Sequence, residues 1–90
     1  MGRISGSPSD VHLNNDGTEV ISPVTMDGYR IDIIARCSEI SSYVGTGEMT
    51  PAQCVTWACN NFDILTSKML DRMNASQNFT APKVLISLKK

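Results

Sequence analysis

Ninety residues with 19% charged and 41% hydrophobic side chains make a chain long enough for one small core and too apolar for wholesale disorder. A net charge of −1 hides an asymmetry: residues 1–27 carry one cation against four acids, −3, and residues 28–90 carry seven against five, +2. No apolar run approaches the roughly 18–20 residues a membrane span needs, and the balance is too weakly positive for direct nucleic-acid binding.

Cys37, Cys54 and Cys59 are odd in number and lack CxxC pairing, so neither a disulfide framework nor a zinc site is expected. A reduced, intracellular setting follows, and the sequons at Asn74 and Asn78 read as chance matches.

Taken in order, residues 1–17 are rich in Gly, Ser, Asn and Asp and read as a flexible leader or linker, entering a domain over 18–90. Thr18–Val24 fits a short edge strand or an extended arm, because Pro23 cannot donate to a central ladder. The spacing of Ile33, Cys37, Ile40 and Val44 predicts a first helix from about Asp27 to Ser42.

The next boundary carries several agreeing signals. Gly45 and Gly47 bracket Thr46 in a turn that calls for positive φ. Thr50 is a helix cap, Pro51 takes the first helical position, and Gln53 is placed to complete a capping box. Met49 and Cys54 flank the box as a hydrophobic staple. The helix runs from Pro51 to about Met73, with Ala58, Phe62, Leu65 and Met69 on one face, and Asn60-Asn61 mark a kink or break. Thr80 then caps a last helix, APKVLISLKK, although Val84–Leu88 also fits a short apolar strand. The expected fold is mainly α: two to four helices, with a short β-hairpin at most.

No catalytic constellation assembles. His12, the one histidine, lies in the leader, away from any cysteine or serine partner. The cysteines read as small buried hydrophobes. Gly45-Thr46-Gly47 lacks the lysine and spacing of a phosphate loop. Arg30, Arg36, Lys68 and Arg72 are scattered cations, the pattern of a solvated surface or of one that meets an acidic protein segment. Trp57 stands off the main apolar row, as a core-margin residue or a partner anchor. An enzyme is not expected, nor is any metal or cofactor.

The run Ile40–Thr50, ISSYVGTGEMT, followed by a long helix, resembles the C-terminal domain of rhabdovirus phosphoproteins, especially those of vesiculoviruses. Gly45, Gly47, Met49 and Thr50 carry the likeness. It implies a compact helical domain that binds viral nucleoprotein on RNA and tethers the polymerase, which other regions of the parent protein would hold. It also implies a monomeric domain in the host cytoplasm and the virion, away from membranes. Arg30, Arg36, Tyr43, Lys68 and Arg72 are then the expected contact residues. The segment Trp57–Asn61 and the tail from Asn74 depart from the vesiculovirus pattern and point to a distant genus, with a plant-infecting cytorhabdovirus as the candidate. The alternative function is a cellular helical adaptor that takes a peptide in a groove near Trp57.

Overall fold

In a computed structural model, which describes residues 4–26, 28–45, 47–75 and 83–88, the chain is organised by a mixed sheet rather than by helices. Its strands are β1 (Ile4–Ser5), β2 (His12–Leu13), β3 (Glu19–Met26), β4 (Tyr29–Arg36) and β5 (Lys83–Leu85). The helices are α1 (Cys37–Val44), α2 (Pro51–Asn60) and α3 (Phe62–Ala75). This corrects the expectation of a mainly helical domain.

The largest correction falls on residues 27–36, expected as helix. Tyr29–Arg36 is instead a strand, antiparallel to β3 from Met26↔Tyr29 to Glu19↔Arg36. Its burial alternates: Ile31, Ile33 and Ala35 face the core, while Arg30, Asp32, Ile34 and Arg36 face the other way. Three isoleucines in four positions suit a pleated surface better than a helix, where branching at Cβ freezes χ1. Gly28, at φ +84°, lies in the turn between the strands, and in the sequence an Asp-Gly pair between apolar runs is a hairpin signal. The helical periodicity begins in earnest only at Cys37, where α1 starts.

Pro23 sits inside the sheet, contrary to the edge position expected of it. On one side β3 pairs with β4 along its whole length. On the other, β1 pairs only at Thr25 and Met26 and β2 only at Val20 and Ile21. Ser22–Val24 therefore face an interruption on that side, where the chain arcs away through a single 3-10 turn at Pro8–Asp10. A missing N–H costs no ladder bond there. Gly6 permits this close passage, since a Cβ would lie 3.0 Å from both Phe62 and Val24 and 3.1 Å from the Pro23 carbonyl.

The segment expected as a flexible leader thus supplies β1 and β2, and Val11 within it is buried in the core. Asn14 organises the turn into β3: its Oδ1 accepts from the amides of Thr18 and Glu19 at 2.9 and 3.1 Å.

Past the helices the chain returns as β5, parallel to β4 with Ile33 opposite Val84. The helix favoured for 81–90 is accordingly replaced, over residues 83–85, by a strand; Thr80, its expected cap, lies outside the described residues. Val84, Ile86 and Leu88 are buried, the Ile86 amide donates to the Ile34 carbonyl at 2.9 Å, and the Leu88 amide donates to the Glu39 carboxylate at 3.0 Å. Alternating burial at 84, 86 and 88 is the period of a strand.

Helices cover one face of this sheet. Ile40 of α1, Cys54 and Ala58 of α2, and Leu65 and Met69 of α3 form one cluster with Val20, Val24, Ile31, Ile33 and Ala35. Ser22 is buried in the same layer, and its hydroxyl has no hydrogen-bond partner among the described residues. The opposite face of the sheet carries no described element.

Candidate functional site: the groove along the second helix

The turn and cap read from sequence are present and fix how α2 leaves α1. Gly45 ends α1 in the left-handed region at φ +78°, its amide bonded to the Ser41 carbonyl at 3.0 Å; Gly47 also has positive φ, +91°. The Ser41 hydroxyl accepts from the Met49 amide at 3.2 Å, which holds the connection against α1. Thr50 Oγ1 then accepts from the Gln53 amide at 3.2 Å, and Gln53 Oε1 accepts from the Thr50 amide at 2.9 Å, with Pro51 in the first turn. Both halves of the capping box are made.

At its other end α2 stops at Asn61, where the sequence marked a break. The Asn61 amide donates to the Trp57 carbonyl at 2.9 Å and its side-chain Nδ2 to the same oxygen at 2.9 Å. The Asn61 carbonyl then accepts from Ile64 and Leu65 as α3 begins.

Between these two ends lies an open groove of about 540 Å³, lined by Glu48, Met49, Ala52, Gln53, Thr56, Trp57, Asn60 and Asn61. The spacing of these positions makes one longitudinal stripe of α2. Trp57 is half-buried and packs edge-on against Tyr43 of α1, with centroids 5.7 Å apart and planes at 69°, a favourable aromatic geometry. That contact holds the indole without enclosing it. Glu48 is the single charge in the lining, at the end next to the helix start; Asn60 and Asn61 offer amides at the other.

The predicted contact residues do not converge. Arg30 and Arg36 sit at opposite ends of β4, six residues and so roughly 20 Å apart at strand spacing. Arg30 is ion-paired with Asp32 at 3.2 Å, and Arg36 is exposed where β4 passes into α1. Lys68 and Arg72 stand one turn apart on α3, in the helical layer. Only Tyr43 touches the groove's framework, through Trp57. Of the structural set, Gly45, Gly47, Met49, Thr50, Pro51 and Gln53 all fall at the groove's N-terminal end. Glu48, Ala52 and Thr56 escaped notice in the sequence, although their spacing with Trp57 and Asn60 along a capped helix was visible.

A second concavity, about 450 Å³, opens where the sheet is interrupted and is lined by Ser5, Gly6, Asp10, His12, Pro23, Val24, Thr25 and Arg30. His12 Nδ1 is bonded to the Asp10 carbonyl at 3.0 Å, and no serine–histidine hydrogen bond occurs among the described residues. The described residues contain no group of three His, Cys, Asp or Glu able to hold a metal ion. Cys37, Cys54 and Cys59 are free thiols. Burial, with the neighbouring Cys37, pushes the Cys54 thiol up to about 11, so it stays protonated and unreactive near neutrality. No described helix is long and apolar enough to cross a membrane.

No family profile, curated protein or solved structure matches this chain.

Proposed function

We propose that the chain is a non-catalytic interaction module that takes a short peptide segment of a partner protein in the groove beside Trp57. One observation carries this: a half-buried indole, braced by Tyr43, stands in a stripe of amide, hydroxyl and methyl groups along a rigidly capped helix. Tryptophan is the residue type most often found as an energetic anchor at interfaces, and a concave lining with a few convergent polar groups is the usual form of a binding site. The lining chemistry suits a segment with one apolar side chain against the indole and a cation toward Glu48.

Attachment to nucleoprotein on viral RNA, tethering a polymerase, is the narrower form of this proposal. It rests on the Ile40–Thr50 run alone, because the helical architecture expected with that run is not the one found and the basic residues do not form one surface.

Random-peptide selection on the immobilised domain, followed by titration of the enriched peptides, fluorescently labelled, by anisotropy, tests the general proposal. Enriched peptides should lose at least tenfold in affinity to Trp57→Ala and to Thr56→Arg, whose exposed site leaves the core untouched. Peptides that bind both variants as well as the parent chain would place the site elsewhere. Reconstituted nucleoprotein–RNA rings, offered in parallel, should compete with those peptides if the narrower form holds; binding without competition, or none at tens of micromolar, rejects it.

A further inference from the structure

We infer that Cys37 and Cys54 form a reversible disulfide site, closed by a small-molecule disulfide of the glutathione class, that ties the start of α1 to the first turn of α2. The two cysteines stand 17 residues apart in the chain and meet where the helices touch. Cys54 Sγ lies 3.8 Å from the Cys37 carbonyl oxygen, and the Cys37 thiol is its hydrogen-bonding neighbour. The Ser41 hydroxyl donates to that same carbonyl at 3.0 Å, so two thiols and one hydroxyl gather around one peptide group. The third cysteine faces elsewhere. Cys59 follows Cys54 by five positions, about 140° round the helix, and its thiol donates to the Pro8 carbonyl at 3.2 Å.

The pair divides the two roles that thiol–disulfide exchange needs. Cys37 is half-buried, with its Sγ 3.7 Å from the Gly17 carbonyl, and a solute can reach it; Cys54 is fully enclosed. In the first step the Cys37 thiol loses its proton and its sulfur attacks one sulfur of glutathione disulfide. The S–S bond of the oxidant breaks, and one glutathione leaves with the electron pair and takes up a proton. In the second step the Cys54 thiol loses its proton and its sulfur attacks Cys37 Sγ. The mixed disulfide breaks, and the second glutathione leaves and is protonated in turn. Two protein thiols are thereby oxidised by two electrons, and one glutathione disulfide is reduced to two glutathione thiols. Cys54 never meets the oxidant: it acts only on a sulfur already fixed beside it, where proximity replaces acidity. Excess glutathione thiol runs both steps backwards.

The bond closes a loop that contains Gly45, Gly47 and the Thr50 cap, the connection that sets how α2 leaves α1. A cross-link over such a loop takes freedom from the unfolded chain, so oxidation should make the domain harder to unfold.

Equilibrating the full chain in glutathione buffers of graded thiol-to-disulfide ratio, then acid quench, alkylation and peptide mass mapping, tests the inference. A Cys37–Cys54 link, two hydrogens lighter than the dithiol, should form while Cys59 remains open to alkylation. Its equilibrium constant against glutathione should be at least tenfold larger in the folded chain than in urea. Cys54→Ala should halt at a mixed disulfide of Cys37 with glutathione, and Cys37→Ser should leave Cys54 reduced. The oxidised parent chain should melt about 5 °C or more above the reduced one. A link no more favourable than in urea, a link through Cys59, a parent chain that stops at the mixed disulfide, or an oxidised chain that melts no higher would overturn the inference.

Discussion

Thr50 and Gln53 exchange two hydrogen bonds that satisfy amides the first turn of α2 leaves without helical partners. Thr50→Ala removes one of them and should lower stability by about 1 kcal/mol, read as a shift of the urea midpoint without a change in slope; an unmoved midpoint would mean that the cap does not set the helix. Cys54 makes the residue-scale claim about pH. Its thiol is fully buried and titrates at about 11 in the folded chain against 9.0 for an ordinary cysteine. The unfolded chain therefore gives up this proton first as pH rises, so the neutral thiol's contribution is intact below about pH 9 and is lost between 9 and 11. The parent chain should lose melting temperature over that interval more steeply than Cys54→Ala does, and equal slopes would mean that the thiol is not held in an apolar site. The capping residues, the positive φ of Gly45 and Gly47 and the buried character of Cys54 were all legible in the sequence, because each is decided by chemistry within a few residues or by side-chain type.

At the scale of elements, what was legible depended on whether the deciding contact is local. The break at Asn61 could be read, since asparagine competes for its own helix's carbonyls. The strand at Tyr29–Arg36 was hidden by a coincidence of periods: Ile33 and Cys37 are four apart, which fits one helical face and one strand face equally. Asp27-Gly28 and the run of isoleucines should have outweighed it. β5 is three residues long, and only its partner β4, some fifty residues earlier, makes it a strand. The first seventeen residues misled through composition, because polar loops surround the few positions, Ile4, Val11 and Leu13, that reach the sheet. Removing residues 1–13 should consequently destabilise the domain by at least about 1.5–3 kcal/mol, the value of burying Val11 alone, measured by urea unfolding. Unchanged stability would return that segment to the status of a leader.

For the whole molecule, the sheet separates two surfaces of different make-up. Its helical side carries the core and the Trp57 groove, and its other side presents the aliphatic row of Ile21, Ile34 and Leu85. Neither surface could be assembled from the sequence. The groove needs the angle at which α2 leaves α1, and the row needs the register of three strands. The cations read as scattered along the linear chain, and the fold keeps them apart, at the two ends of β4 and on α3. Everything in this division depends on residues 29–36 being a strand between β3 and β5. Nuclear Overhauser contacts measured through β4 test that directly: antiparallel contacts should link Ile33 with Ser22 and Ile31 with Val24, and parallel contacts should link Ile33 and Ile34 with Val84–Ile86. Strong sequential amide–amide contacts running unbroken from Tyr29 to Val44, without cross-strand peaks, would show a helix there and contradict the account.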